Sequence, residues 1–367
     1  MSYITSISTA VPQHCIQQRD VAEFMCRSLS LDADESRKLR ALYRVSGIES
    51  RYTAVADYAI TPENFGFFPA NWNLEPFPTT ASRMEVYRSQ APDLAQQALE
   101  SCLTDAGIDD RHSISHLITV SCTGMYAPGL DILLVERLGL RPNVQRTGIN
   151  FMGCYAAFSA IKVGDAICRA DPSARVLVVC VELCTLHFQQ SAEDDHLLSA
   201  ALFGDGAAAL IMSGKPLRDG LQLRTMQFAN GLALHGQDDM AWHIGDHGFE
   251  MRLSSYVPDL IGQGIHELTR QLLDGLEIDF DQIDYFAIHP GGKRILEVIE
   301  RELGLSKKDN DPAYTVLRRY GNMSSPTVLF VLRELYGRLQ PGDSGKHVLS
   351  FAFGPGLTLE SMLLRIE

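Results

Sequence analysis

Apolar runs alternate with amphipathic stretches along this chain. Residues 115–124 form an apolar, β-branched run, and residues 128–140 then carry apolar side chains at helical spacing with a glycine near the end. Residues 285–289 and 290–305 repeat that order of a strand, a turn and an amphipathic helix. Strands that alternate with helices in this way predict an α/β fold, with a mixed sheet covered by helices on both faces.

The second half of the chain repeats the first half in further blocks, and the order is the same. The other matching blocks are residues 153–161 with 321–329, 174–180 with 347–353, and 204–212 with 354–360. Several ordered matches are hard to ascribe to chance, and their period is too long for a solenoid. We therefore predict a duplicated fold with halves at residues 1–220 and 221–367. The loops at 153 and 321 should then face one central cleft.

Composition and charge limit the class of protein. With 367 residues and 46% hydrophobic side chains, the chain can form two domains or one large duplicated unit. A formal net charge of −13 argues against nucleic acid as a partner, because phosphate binding needs a basic face. No apolar run is long enough to span a bilayer, and the first ten residues do not read as a signal peptide. We expect no nucleic-acid or membrane partner and a cytoplasmic location.

The eight cysteines do not predict a metal site or a disulfide framework. No pair forms a CxxC motif, and Cys180 and Cys184 lack the second pair or histidine cluster that zinc would need. Most of these thiols should be small buried side chains in a reducing compartment. Residues 54–84 are rich in aromatic residues, proline and asparagine and have no clean period, so we expect a long surface excursion there.

Three residues in distant segments suit acyl transfer through a thioester. Cys154 follows Gly153 and should begin a helix over residues 155–161, whose dipole would favour a thiolate. His289 ends an apolar strand, and Asn322 lies in the loop before a second helix. A thiol nucleophile, an imidazole and an amide donor are the groups that this chemistry requires. Taken singly, they also read as a buried cysteine, a core histidine and a turn asparagine.

The neighbouring motifs carry a resemblance to a known family. Residues 321–330 (GNMSSPTVLF), 353–360 (FGPGLTLE) and 201–210 (ALFGDGAAAL) resemble the matching segments of type III polyketide synthases, the chalcone synthase-like enzymes. The form of residues 120–124 is closer to that of bacterial members. The resemblance implies a thiolase-like αβαβα layered fold and a homodimer.

The resemblance also implies a reaction. Cys154 would carry an acyl group from an acyl-CoA starter, while His289 and Asn322 would promote decarboxylation of malonyl-CoA to an enolate. The enolate would attack the acyl group and lengthen it by two carbons, and the product would close as a pyrone or a resorcinol- or phloroglucinol-type ring. No metal or redox cofactor is implied, since CoA thioesters are the substrates.

Five pocket positions are carried over from the same resemblance. Phe203 falls on a gatekeeping phenylalanine between the CoA tunnel and the cavity, and Met251 falls on the second gatekeeper. Cys122 falls in the starter pocket, and Ser324 lies beside the nucleophile. His187 falls on a pocket position that is usually small, where it should shrink or redirect the cavity. A small Ala127 falls where the family sends a loop into the neighbouring copy.

Cations for the CoA phosphates are expected in two places. The candidates are Arg37, Lys38, Arg40 and Arg44 after Asp34, and Lys293 and Arg294 at a helix start. Of these we favour Lys38, Arg44 and Lys293, although a solvated charged face would look the same.

Two other functions are compatible with the sequence, namely an initiating ketoacyl-ACP synthase and a non-catalytic partner subunit of the same fold. Within the polyketide synthase interpretation, Met251, Ala127 and Cys122 favour an aliphatic starter over an aryl one.

Overall fold

The computed structural model describes residues 1–236 and 239–367, and within them the chain forms thirteen strands and ten α-helices. The strands are β1 (Tyr3–Ala10), β2 (His14–Gln17), β3 (Ser50–Thr53), β4 (His116–Ser121), β5 (Gln145–Asn150), β6 (Arg175–Leu183), β7 (Asp205–Ser213), β8 (Leu223–Leu232), β9 (Met240–Gly245), β10 (Gly248–Leu253), β11 (Tyr285–Ile288), β12 (His347–Gly354) and β13 (Thr358–Ile366). The helices are α1 (Gln18–Ser28), α2 (Ala33–Val45), α3 (Thr80–Asp105), α4 (Leu130–Arg137), α5 (Ala156–Ala170), α6 (Asp194–Leu202), α7 (Val257–Leu273), α8 (Lys293–Leu303), α9 (Asp311–Tyr320) and α10 (Thr327–Tyr336).

The main sheet shows the duplication in its topology. Its nine strands lie in the order β11-β12-β13-β8-β1-β7-β6-β4-β5. In the first half β4 pairs parallel to β6, and β6–β7 and β7–β1 are antiparallel. In the second half β11 pairs parallel to β12, and β12–β13 and β13–β8 are antiparallel. The two halves therefore repeat one four-strand pattern, and they meet at a short pairing of β1 with β8. The assignment of the halves as separate domains stays a prediction.

Helices α5 and α10 form the layer between the two half-sheets. Helix α5 contacts β4, β6 and β7 of the first half and β13 of the second, while α10 contacts β1, β7 and β11. Helix α3 packs on the other side of the first half-sheet, and α7 packs on β8 and β13. Strand β6 is apolar at almost every position because alternate side chains enter two different cores, with Val178 in one and Val179 in the other. This central layer brings the starts of α5 and α10 to one cleft.

The segment over residues 54–84 differs from the expected surface excursion. Tyr58, Phe68 and Leu74 are buried, and the aromatic rings of the segment pack around Phe24 and Phe188. The Asp57 carboxylate accepts the backbone N–H groups of residues 66, 67 and 68 at 2.7–2.9 Å. Hydrogen bonds to one buried carboxylate thus order a stretch that has no strand or helix period.

None of the helices in the described part of the chain is long and apolar enough to cross a membrane.

Candidate active site

The loop before α5 places Cys154 in a tight turn. Gly153 has a φ of +73°, and a Cβ atom there would lie 2.3 Å from Pro355 Cδ, so only glycine fits. Phe151 also has a positive φ, of 58°, which is uncommon for a residue with a side chain and is typical of strained functional turns. Cys154 was expected to begin the helix, but it lies in a short 3-10 turn, and α5 starts two residues later. The thiol is buried at the N-terminal end of that helix.

Asn322 is held in place by backbone hydrogen bonds with residues 202–204. The Asn322 N–H donates to Leu202 O and the Asn322 carbonyl accepts from Gly204 N–H, both at 2.9 Å. The side-chain oxygen accepts from Ser324 N–H at 2.8 Å, and Nδ2 donates to Gly291 O at 3.3 Å. Both Oδ1 and Nδ2 lie 3.9 Å from Cys154 Sγ. The amide of Asn322 is therefore fixed beside the sulfur, and the same backbone pairing links it to Phe203.

His289 follows β11 and points into the same site. Its backbone N–H donates to Phe351 O at 2.8 Å, and its imidazole is buried. Neither ring nitrogen has a hydrogen-bond partner among the described residues. Buried polar atoms without partners are rare in proteins, and a ligand is one common explanation. The resemblance implies that this imidazole pairs with the thiolate, but in this structure it is not hydrogen-bonded to the sulfur.

Burial holds both groups in their neutral forms. It raises the pKa of the Cys154 thiol to about 11, although hydrogen bonds from Ser324 and Asn322 act in the opposite direction. It lowers the pKa of His289 to about 3. A neutral imidazole offers one N–H donor, and Asn322 Nδ2 offers another. Two donors near one sulfur suit a thioester oxygen that gains negative charge during the reaction.

The three side chains line one cavity of about 530 Å³, the main cavity. Phe203, Met251, Cys122, His187 and Ser324 line it as well, so all five pocket positions taken from the resemblance lie together. The lining also includes apolar side chains that the sequence analysis did not single out: Ile16, Val21, Met25, Phe188 and Leu253. Ile16, Val21 and Met25 belong to β2 and α1, whose sequence carries no motif that could have revealed them.

A buried carboxylate lies behind the wall of the main cavity. Glu182 is 0% exposed, and its oxygens accept from Cys122 N–H at 3.0 Å, Thr123 Oγ1 at 2.7 Å and Ser325 Oγ at 2.5 Å. Burial raises its pKa, while these hydrogen bonds partly offset that effect. Sequence reasoning missed Glu182, although a single glutamate inside the apolar strand β6 is a visible signal.

Two aromatic side chains hold the β9–β10 hairpin against the loop after β4. His187 Nε2 donates to Thr123 O at 2.7 Å, and His187 Nδ1 accepts from Phe249 N–H at 2.9 Å. Its ring stacks on Phe249 with centroids 4.3 Å apart. Trp242 Nε1 donates to Cys122 O at 2.7 Å. Both nitrogens of His187 are thus used by the protein, so this residue shapes the cavity wall and its ring is not available for proton transfer.

The predicted CoA cations divide into two groups. Lys293 and Arg294 line the main cavity at the start of α8, where they also pair with Glu297 at 3.4 Å and Asp259 at 3.0 Å. Lys38 and Arg44 are exposed on α2 and lie outside that lining. On the same helix Arg37 pairs with Asp34, and Arg40 pairs with Glu23. The residues of α2 that do reach the cavity are the apolar Leu42 and Val45.

The fold and the site define an acyltransferase of thiolase-like architecture, and comparisons with known proteins identify its family. Sequence models described as "Chalcone and stilbene synthases, N-terminal domain" and "Chalcone and stilbene synthases, C-terminal domain" match residues 1–216 and 226–367. The chain therefore belongs to the chalcone and stilbene synthase family and is a type III polyketide synthase.

Relatives and solved structures agree with this assignment. The chain is 31% identical over 373 residues to "Alpha-pyrone synthesis polyketide synthase-like Pks18" of Mycobacterium tuberculosis, covering 100% of this chain and 91% of that protein. It is 32% identical over 370 residues to "Probable polyketide synthase 1" of Dictyostelium discoideum, of which it spans only 11%.

Among structures, the C-terminal type III polyketide synthase domain of the Dictyostelium type I/III hybrid Steely1 has a TM-score of 0.90 at 31% identity, with 99% of both chains covered. PKS-I from the brown alga Ectocarpus siliculosus has a TM-score of 0.91 at 29% identity, with 99% of this chain and 98% of that chain covered. The predicted thiolase-like fold is confirmed.

Proposed function

We propose that this type III polyketide synthase holds an acyl-CoA starter on Cys154 and extends it with malonyl-CoA. The observation that carries the proposal is the convergence of Cys154, His289 and Asn322 in one buried cavity, where neither imidazole nitrogen of His289 has a partner among the residues that the structure describes. The scheme uses only these side chains and the two thioesters, so we propose no further cofactor.

Loading comes first. The thiol of Cys154 gives its proton to a nitrogen of His289 as its sulfur attacks the thioester carbonyl of the starter. The C–S bond to CoA breaks, and the leaving CoA thiolate takes the proton from the His289 imidazolium, which returns to its neutral form. Decarboxylation follows when malonyl-CoA enters with its thioester oxygen between the imidazole N–H and Asn322 Nδ2.

Carbon–carbon bond formation completes the cycle. The C–C bond to the malonyl carboxylate breaks, carbon dioxide leaves, and the electron pair passes into an enolate whose oxygen is held by the two donors. The enolate carbon then attacks the acyl carbonyl on Cys154, and the sulfur leaves as a thiolate. The product is a β-ketoacyl-CoA that is two carbons longer and can be loaded again.

The lining of the main cavity supports an aliphatic starter. Ile16, Val21 and Met25 extend the apolar wall to β2 and α1, and Met251 adds a flexible side chain. The name of the mycobacterial relative refers to alpha-pyrone synthesis, which supports a pyrone product. We propose a medium or long acyl chain, two or three condensations, and closure to an alkylpyrone or alkylresorcinol.

A chain-length series tests the starter. Each buried methylene contributes about 0.8 kcal/mol, so kcat/KM should rise about fourfold per methylene until the cavity is full. Competition with coumaroyl-CoA at equal concentration should favour the aliphatic chain. A flat series, or a preference for the aryl starter, would show that the walls around Trp242 and Met251 leave no alkyl channel.

Recognition of CoA is proposed at the start of α8. Lys293 and Arg294 are the basic residues placed to meet phosphates at the cavity mouth. Lys293→Met should raise KM for malonyl-CoA with little change in kcat. The exposed Lys38 and Arg44 lie farther from the cavity, so Lys38→Met serves as the comparison.

The decisive experiment follows carbon dioxide and the covalent adduct together. The protein should release labelled carbon dioxide from malonyl-CoA, and mass spectrometry should find the starter acyl group on Cys154. Cys154→Ala should lose the adduct. Cys184→Ala is the matched control, because Cys184 is an equally buried cysteine in the same cavity. An adduct that persists in Cys154→Ala refutes the assignment, and activity with ACP thioesters alone would identify a ketoacyl-ACP synthase.

A further inference from the structure

A buried guanidinium lies against the short backbone segment that holds Asn322. Arg51 is 2% exposed, and its place in β3 opposite Ile16 brings it to the lining of the main cavity. Its Nη1 donates to Phe203 O at 2.6 Å. Phe203 is the residue that pairs with Asn322 through the backbone. A single residue therefore separates the guanidinium from the amide beside the reacting sulfur.

The segment 202–204 is held from two opposite edges. On one edge, the backbone of Asn322 exchanges two hydrogen bonds with the segment at 2.9 Å. On the other edge, Phe203 N–H donates to Ser199 O at 3.0 Å, and Phe203 O accepts from Arg51. Alternate backbone groups of an extended segment point to opposite edges, so Arg51 holds Phe203 from the side away from Asn322. Loss of this hydrogen bond would release the outer edge of the segment.

Two glycines make room for the stem of Arg51. A Cβ atom on Gly204 would lie 3.2 Å from Arg51 Cβ, and a Cβ atom on Gly321 would lie 3.7 Å from it. Gly204 follows Phe203 in the chain, and Gly321 precedes Asn322. The stem of Arg51 thus fills the notch between the two paired segments, and the guanidinium reaches the Phe203 carbonyl from there.

The fold keeps this cation at a cost in stability. Arg51 Nε and Nη2 are buried and have no hydrogen-bond partner among the residues that the structure describes. Burial lowers the pKa of Arg51, because it disfavours the charged form. A well-packed apolar side chain in place of a buried charge is often neutral or stabilising. Packing alone therefore does not account for a charged donor on Phe203 O.

We propose that Arg51 is a positioning residue for Asn322. It holds Phe203 O, and through the backbone pairing of Phe203 it fixes the amide that stabilises the enolate. The inference rests on the proposed decarboxylation of malonyl-CoA, in which Asn322 Nδ2 is one of two donors. A charged donor holds a carbonyl more firmly than a neutral one does. A displacement of about 1 Å in an active site can lower a rate about a hundredfold.

The first test separates decarboxylation from loading. Arg51→Met removes the charged donor and leaves an unbranched side chain. We expect carbon dioxide release from malonyl-CoA to fall about tenfold to a hundredfold, because the amide of Asn322 is displaced. The rate at which the acyl adduct forms on Cys154 should stay near that of the wild type, since loading does not use this amide.

A double-mutant cycle shows whether Arg51 acts through Asn322. In Asn322→Ala no amide is left to misplace, so the addition of Arg51→Met should cause little further loss of carbon dioxide release. A merely structural role would lower the rate by the same factor in both backgrounds. Arg51→Lys keeps a cationic donor for Phe203 O and should restore most of the rate.

Arg83→Met is the matched control. Arg83 is another fully buried arginine, and its guanidinium donates to the carbonyl groups of Pro78 and Leu186. Its loss should lower the free energy of unfolding and leave carbon dioxide release by the folded protein unchanged. If Arg51→Met does not fold, Arg51→Gln, whose side chain is too short to reach Phe203 O, takes its place in the cycle.

Four results would overturn the role of Arg51. They are wild-type carbon dioxide release by Arg51→Met, an equal loss with and without the amide of Asn322, equal rates in Arg51→Met and Arg51→Lys, and an equal loss in Arg83→Met. In each case decarboxylation by the wild type would still stand. A wild-type protein that releases no carbon dioxide from malonyl-CoA would instead refute the proposed function, and the role of Arg51 with it.

Discussion

At the scale of single residues, the ligand-free site holds a neutral thiol and a neutral imidazole. Burial disfavours the charged form of both Cys154 and His289, and no hydrogen bond joins them in the structure. Charge separation therefore has to accompany substrate entry, when the thioester brings its carbonyl oxygen to the two donors. This differs from a resting thiolate–imidazolium pair, and the two states react differently with alkylating agents.

The pH dependence of alkylation distinguishes the neutral thiol and imidazole from a resting thiolate–imidazolium pair. The thiolate is the reactive form, and the pKa of Cys154 is raised to about 11. We therefore expect the rate of iodoacetamide modification of Cys154 to be low at pH 7 and to rise steadily from pH 7 to 10. Peptide mass spectrometry isolates this cysteine from the exposed Cys15. A rate that is already flat above pH 6 would indicate a resting ion pair.

Asn322 should matter for decarboxylation and not for loading. Its amide supplies a hydrogen-bond donor and does not gain or lose a proton at neutral pH. Asn322→Ala should release carbon dioxide from malonyl-CoA about a hundredfold to a thousandfold more slowly, because one oxyanion donor is lost. The acyl adduct on Cys154 should still form at a rate near that of the wild type. Undiminished carbon dioxide release would remove this residue from the mechanism.

The residues that sequence reasoning found and missed differ in a physical way. Cys154, His289 and Asn322 are flanked by glycines or proline that fix their turns, so their neighbourhoods are distinctive in sequence. Glu182 accepts its hydrogen bonds from residues 59 to 143 positions away. Only the three-dimensional structure shows those contacts, because nothing in the local sequence requires them.

At the scale of elements, the β9–β10 hairpin is a wall of the main cavity that His187 and Trp242 hold against the loop after β4. His187 bonds both to the loop after β4 and to the hairpin backbone at Phe249, and Trp242 bonds from the hairpin to the same loop. Met251 lies opposite Trp242 in the hairpin pairing. The position of Met251, the predicted second gatekeeper, therefore depends on His187.

Loss of His187 should loosen this wall. His187→Ala removes two hydrogen bonds and a stacked ring from a buried site, so we expect the free energy of unfolding to fall by about 2–4 kcal/mol. The enlarged cavity should also raise kcat/KM for aryl starters relative to aliphatic ones. Urea unfolding and starter competition measure the two effects. His243→Ala, at an exposed position of the same hairpin, should change neither. An unchanged free energy of unfolding in His187→Ala would show that His187 does not hold the hairpin in place.

The prediction of helices and strands from the sequence succeeded where one period of apolar residues dominates. The amphipathic pattern over residues 290–305 predicted α8, which ends at Gly304 in the left-handed conformation. Over residues 54–84 the absence of a period correctly indicated irregular structure but not the burial, which depends on Asp57 accepting three backbone N–H groups and on contacts with Phe24 and Phe188. Such order comes from tertiary contacts, so no local pattern indicates it.

At the scale of the whole molecule, one edge of the main sheet is open. Among the described residues, strand β5 pairs only with β4, and five of its six residues are exposed. Two exposed apolar side chains lie beside it. Met125 lines a small cavity of about 230 Å³ together with residues of β5, and Ile132 lies on α4, which an Arg146–Asp131 ion pair ties to the same strand. An open strand edge next to apolar side chains is a ready template for pairing with another chain.

We predict a homodimer that uses this edge. Two copies related by a twofold axis would join their β5 strands, cover Met125 and Ile132, and bring the loop at Ala127 close to the neighbouring copy. Light scattering at micromolar concentration should give twice the chain mass of 40.6 kDa. Because each chain carries a net charge of −13, the dimer should be weakest at low salt, where repulsion is least screened.

Met125→Glu combined with Ile132→Glu should produce a folded monomer, since it places like charges opposite each other at the interface. Leu234→Glu, which alters a more exposed apolar residue in the turn after β8, should leave the dimer intact. A wild-type monomer would refute the dimer, and a dimer that survives the double substitution would place the interface elsewhere on the molecule.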